Sequence, residues 1–255
     1  MTADPEKGSL PDPRHGPPST EHFDQAALSR LAEEEIELIG GIVGSSNETF
    51  LVRLGDSSAL THAVYKPELG ERPLGDFPPG LHRRERAAYL ISRHLGWDLV
   101  PPTVLRTDGP FGEGSLQLFI HHDPAEHYFT LHADRPESHE QLRRMAAFDI
   151  VTNNADRKGG HVLRSGDGRI WAIDNGLCFS SDLKLRTVIW DFAGHELDEA
   201  LIEDLWRLID EVPSEVAGLL EPGEVEALQG RARWLAAVGE LPEDASGMMI
   251  PWPLI

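Results

Sequence analysis

Phe148-Asp149-Ile150-Val151-Thr152-Asn153-Asn154-Ala155-Asp156-Arg157-Lys158-Gly159-Gly160-His161 is the stretch on which the reading of this chain turns. A helical segment over residues 141–151 runs into it, with Leu142, Met145, Ala146 and Ile150 on one stripe. Asn153, Asn154 and Asp156 follow at the helix end beside a glycine pair. Short polar side chains of this kind compete with helical hydrogen bonding and make a poor core. A loop here can present the Asp156 carboxylate to an acceptor hydroxyl, and Lys158 can add positive charge near a transferred phosphate. Arg157 can instead pair with neighbouring carboxylates and hold the loop.

Downstream, short strands over residues 162–164 and 170–173 are joined by the turn Ser165-Gly166-Asp167-Gly168. The second strand delivers Trp171-Ala172-Ile173-Asp174-Asn175-Gly176. By itself Asp-Asn-Gly is a turn signal. At a strand end facing a cleft, Asp174 is a natural Mg²⁺ ligand, because that ion takes a few hard oxygens plus substrate phosphates. A hairpin of this length would bring Asp156 and Asp174 to the same cleft.

Upstream the pattern is strand-like over residues 36–42, 50–54 and 62–66, then helical over 81–95, then strand-like over 104–106 and 115–120. Gly40-Gly41-Ile42-Val43-Gly44-Ser45-Ser46-Asn47 forms a Gly- and Ser-rich turn between the first two strands. Phosphoryl transfer asks for a lysine on the phosphates, an acidic residue to orient it, a carboxylate facing the acceptor, and metal ligands. Lys66 ends the third strand. Glu85, early on the helix, pairs with it if turned inward and belongs to a charged solvent face if turned outward. After Gly194 the chain reads as helices over 197–212, 214–220 and 223–238, divided by Pro213 and Pro222. The expected fold class is therefore α+β: a bilobed, protein-kinase-like fold with a β-rich N-lobe (about 33–122) and a helical C-lobe (about 123–255). Residues 1–27 are expected as a disordered leader, rich in Pro, Gly and charge to about Pro18. Residues 28–255 form one domain.

Lys66, Glu85, the Asn-Asn-Ala-Asp-Arg loop and Ile173-Asp174-Asn175-Gly176 together resemble the phosphatidylinositol 3-/4-kinase-like superfamily, to which HipA-type kinases also belong. The resemblance covers about Ile36 to Leu208 and looks closest to an uncharacterised actinobacterial branch. It implies an ATP-dependent phosphotransferase using Mg²⁺. Lys66 would bind the phosphates, Glu85 would hold Lys66, Asp156 would be the catalytic base and Asp174 would bind metal. Main chain near Phe119 to His121 would hydrogen-bond the adenine. Ser45, Ser46 and Asn47 would supply phosphate contacts. One departure stands out: five residues after Asp156, where such kinases carry an asparagine metal ligand, this chain has His161. His161 ligates a metal, with Mn²⁺ then tolerated beside Mg²⁺, or contacts phosphate, or marks the loss of the second metal. The last alternative leads to a rival function, a nucleotide-binding regulator without transfer activity.

Composition narrows the partners. The chain has 255 residues and a formal net charge of -20, which opposes non-specific binding to nucleic acid or to an anionic membrane face. No apolar run approaches the roughly 20 residues that cross a bilayer. The single cysteine, Cys178, excludes an intrachain disulfide and reads as a small buried residue. The expected partners are ATP and an acceptor that the sequence does not name; the expected compartment is the cytoplasm. Trp190-Asp191-Phe192-Ala193-Gly194 imitates the metal-binding triplet of protein kinases but carries an extra alanine, so Asp191 is expected to be structural, capping the next helix. His121-His122-Asp123 with His127 suggests a zinc hydrolase, yet lacks the helical pairing with glutamate that such enzymes show. The apolar stretch from Pro242 to Ile255 is expected to pack back on the domain or to meet a partner.

Overall fold

The computed structural model describes residues 20–45, 47–55 and 61–255. In strand β3 (Thr61–Pro67) every second side chain from Ala63 onward is buried, and β2 (Phe50–Leu54) buries Val52 and Leu54 in the same rhythm. That is the period-two signature of a sheet with one covered face. Together with β1 (Ile36–Gly41), β4 (Thr103–Gly109) and β5 (Gly112–Leu118) they form an antiparallel five-stranded sheet in the order β1-β2-β3-β5-β4. Lys66 lies opposite Ser115 in the β3–β5 ladder, so its depth in the sheet is set by register.

Helix α1 (Thr20–Glu33) covers the apolar face. Its Leu31 packs with Val52, Leu54, Ala63, Tyr65, Val104 and Leu116. This corrects the expected leader, because residues 20–27 are helical and Asp24 and Ala27 are buried. Asp24 pairs with Arg93 at 3.1 Å. Few apolar residues mark this helix in the sequence, and contact with the sheet supplies what its composition lacks. The remainder of the leader, residues 1–19, lies outside the described residues.

Helix α2 (Leu81–His94) follows Gly80, whose φ of 94° is open to glycine. While α2 contacts β4 and β5, its Ala87, Ala88 and Ile91 and the following Leu95 lie outside the sheet's own core cluster. They join a larger core shared with α3 (Tyr128–Asp134), α4 (His139–Thr152), α5 (Glu199–Asp210), α6 (Ser214–Leu219) and α7 (Pro222–Val238). α2 thereby ties the two halves together. α5 buries Leu201, Leu205, Leu208 and Ile209 along one stripe. Its cap is Asp198, which accepts the Leu201 N–H at 2.7 Å. The expected cap, Asp191, accepts the Tyr128 hydroxyl at 2.7 Å instead. Between α4 and α5 stands the hairpin of β6 (Val162–Arg164) and β7 (Ile170–Ala172). Among the described residues no helix is long and apolar enough to cross a membrane.

Candidate active site

The end of α4 sets the first carboxylate. Asn153 takes the left-handed conformation, φ 55°, and ends the helix. Its side chain donates to the carbonyls of Ser180 (3.0 Å) and Asp182 (2.7 Å) and accepts the Lys184 N–H (2.9 Å). Asn154 accepts the Asp156 N–H at 2.9 Å. Both asparagines are fully buried, so they scaffold the loop while Asp156 emerges from it. Burial pushes the Asp156 carboxyl above the ordinary aspartate range, against the hydrogen bond and charge of Lys158. Lys158 Nζ lies 3.1 Å from Asp156 Oδ2.

Arg157 holds the loop, as the sequence suggests, and does more. It is fully buried and donates from Nε to both Asp149 oxygens (3.0 and 3.2 Å), from Nη1 to the Ile173 carbonyl (2.5 Å) and from Nη2 to Asn175 Oδ1 (2.7 Å). One guanidinium thus joins α4, the Asp156 loop and the turn that carries Asp174. Its planar fork of donors is suited to that task. Asp149 was not a sequence candidate. Burial raises its pKa, with Arg157 pulling the other way.

Asp174 sits just beyond β7 with φ 58°, a conformation that aspartate tolerates. Its Oδ1 lies 2.7 Å from Lys66 Nζ, and the Lys66 charge holds its pKa well below the usual carboxylate range. Lys66 also donates to Glu85 Oε1, and Glu85 Oε2 accepts the Asn175 N–H at 3.0 Å. Glu85 is therefore turned inward. Burial works against the Lys66 charge, yet Asp174 and Glu85 together raise its pKa. Asp156, Asp174, Lys66, Glu85, Ser45 and Asn47 line one cleft. Ser45 Oγ is 2.8 Å from Thr49 Oγ1, and Asn47 accepts the Arg72 N–H at 2.9 Å. Ser46 lies outside the described residues.

His161 borders the cleft. Its Nδ1 accepts the Lys158 N–H at 3.4 Å, which assigns the ring proton to Nε2, itself 3.4 Å from Asp174 Oδ2. Burial, together with nearby cations, lowers its pKa to about 4, so the ring is neutral near pH 7. In this arrangement its Nε2–H faces Asp174 Oδ2. The hard oxygens of Asp174 suit a divalent ion whose remaining positions are filled by phosphates. Among the described residues no three His, Cys, Asp or Glu side chains gather as a preformed metal site.

Phe119 and His121 are not brought into this cleft. They line a separate cavity with His62, Asp98, Arg144 and Trp171. The Phe119 N–H is already donated to the His62 carbonyl at 3.0 Å, so that one donor of the main chain near Phe119 to His121, expected to meet adenine, is taken. His122 donates from Nδ1 to the Ile120 carbonyl (2.9 Å), and His127 caps α3. Sequence reading also missed Glu71 and His82, which line the cleft. Glu71 accepts the N–H groups of Gly80 (2.8 Å) and His82 (2.9 Å), and its Oε1 lies 2.8 Å from the His82 ring. Only Glu71's position ahead of a helix start hinted at this.

No protein-family model matches the chain. Protein Rv2133c of Mycobacterium tuberculosis is 38% identical over 260 residues, spanning 88% of this chain and 93% of that protein. Among solved structures, Golgi casein kinase with Mn/ADP bound superposes with a TM-score of 0.57 at 16% identity, over 93% of this chain and 81% of that one. Hydra Fam20 with sugar gives 0.54 at 15% identity, over 86% of this chain and 88% of that one. At such identities the likeness establishes the fold: a protein-kinase-like arrangement of an antiparallel sheet and helices.

Proposed function

This chain belongs to the family of the mycobacterial Protein Rv2133c, and from that premise and its kinase-like fold we propose that it is an ATP-dependent phosphotransferase. It moves the γ-phosphate to a hydroxyl on a small molecule, a lipid head group or a protein. The observation that carries this reading is the shared cleft of Asp156 and Asp174 beside a lysine held by a buried glutamate.

In the proposed reaction Asp156 accepts the acceptor's hydroxyl proton while that oxygen forms its bond to the γ-phosphorus. The bond from phosphorus to the bridging oxygen breaks, and ADP leaves. A raised carboxyl pKa makes Asp156 a better base near neutrality than an exposed aspartate. Lys66 draws the phosphates into register, and Glu85 stops it from swinging away. Lys158 balances charge on the transferred group. Asp174 would hold Mg²⁺ or Mn²⁺, which neutralises charge on the phosphate oxygens. Ser45 and Asn47 would contact the phosphates, and an adenine reaching into the neighbouring cavity would meet the His121 main chain. The Asn-Asn-Ala-Asp-Arg and Ile-Asp-Asn-Gly motifs support a narrower place within the phosphatidylinositol 3-/4-kinase-like and HipA-like superfamily. One specific observation favours the rival reading of a nucleotide-binding regulator: His161 stands where an asparagine metal ligand is expected and points a proton at Asp174.

Incubating the purified chain with labelled ATP and Mg²⁺ or Mn²⁺ separates the two. Transfer or hydrolysis that disappears in Asp156→Ala and in Asp174→Ala supports the enzyme. Tight ADP binding with no turnover under either metal rejects it in favour of the regulator.

A further inference from the structure

The loop that carries Asp156 is held from outside by a second segment. The Gly159 N–H, one residue past Lys158, donates to the Leu254 carbonyl at 2.7 Å. A Cβ on Gly159 would meet the Phe129 ring at 3.1 Å and that same carbonyl at 3.3 Å, so the segment approaches as closely as glycine allows. A second anchor lies at Met249. Its carbonyl accepts the Thr187 N–H at 3.0 Å and the Trp190 Nε1–H at 3.1 Å. Thr187 in turn bridges Arg157 and donates its hydroxyl to Asp149 at 3.0 Å. Asp244 stiffens the approach by accepting the N–H groups of Ser246, Gly247 and Met249. Pro251, between the two anchors, is buried.

From these contacts we infer that residues 249–255 form a positioning strap for Asp156. The strap clamps both chain segments that flank the proposed base, residues 156–160 and 186–190, in one geometry. It touches neither Lys66 nor Asp174 through any of these bonds, so it governs the transfer step rather than nucleotide binding. The inference rests on the phosphotransferase reading.

The test compares the full chain with one ending at Met249 and with Trp190→Phe, which deletes one anchor bond and keeps an apolar ring. Three measurements are made: Mn²⁺·ADP affinity by calorimetry, kcat and KM for ATP hydrolysis, and amide exchange at Gly159. Small misplacements of a reacting group can cost around a hundredfold, so the truncated chain should lose about tenfold or more in kcat. Its affinity for Mn²⁺·ADP should change less than about threefold, because the strap's hydrogen bonds go to Gly159, Thr187 and Trp190 and not to Lys66 or Asp174. Trp190→Phe should fall between, and Gly159 exchange should rise in both variants. Unchanged kcat, or unchanged exchange at Gly159, overturns the strap. A full chain that neither binds Mn²⁺·ADP nor turns over ATP sinks the phosphotransferase reading instead, and the exchange measurement alone then decides the strap.

Discussion

The Asp156 carboxyl experiences opposed influences: burial favours the proton, while Lys158 and Arg186 favour its loss. Burial prevails, so the folded pKa lies above the ordinary aspartate value. A base works only as the carboxylate, so activity should vanish from the acid side earlier than an exposed aspartate would dictate. The pH dependence of kcat/KM checks this, and an acid limb at or below the ordinary value would argue against Asp156 as the base. Asp156→Asn removes the proposed base while nearly preserving shape and should lower kcat by about 10²-fold or more. Lys66→Met should instead act first on nucleotide affinity, measured by titration with Mn²⁺·ADP. The left-handed conformation of Asp174, φ 58°, and its ion pair with Lys66 show that this turn is organised around one carboxylate.

At the scale of elements, Arg157 is the joint between α4, its following loop and the end of the small hairpin. Arg157→Leu would strand the Asp149 carboxylate in a fully buried site. Loss of one partner from a buried pair costs about 3–5 kcal/mol, so the denaturation midpoint should fall sharply. A loss within experimental error would mean that Thr187 alone satisfies Asp149. The start of α2 carries a second joint. Burial opposes a charge on His82, but the hydrogen bond and charge of Glu71, helped by Glu113, outweigh it and raise the pKa. A group whose pKa is raised on folding adds stability that is complete below its unfolded pKa. That stability is lost as pH rises through the folded value. Wild-type Tm should therefore fall relative to His82→Gln as pH climbs above about 6.5. Parallel Tm curves for the two proteins would reject the pairing.

For the whole molecule, the cleft lies between a sheet with its own small core and a helical body with a larger one. Ligand sites favour such junctions. A ligand that binds only the folded chain raises its stability by mass action, about 2.7 kcal/mol at a hundred times its Kd. Adding Mn²⁺·ADP at saturating concentration should thus raise Tm measurably in the wild type. The rise should shrink in Asp174→Ala. Equal shifts in both proteins would place the metal elsewhere.

Much of this architecture was legible before any coordinates. All five sheet strands, α2, α4 and the three later helices follow from local periodicity, because a period of two or of 3.6 is written into consecutive residues. The Asp156 loop and the Asp174 turn were legible for the same reason: short polar residues at helix and strand ends are local signals. Tertiary structure alone decided that α1 is a helix, since its stability comes from the sheet that it covers. It also decided that Glu85 turns inward, that Glu71 and His82 join the cleft, and that Phe119 and His121 face another cavity. The same holds for the segment around Leu254, which comes to rest against Gly159. Each of these is a contact between residues far apart in the chain, and local sequence carries no record of which distant surface a side chain will meet.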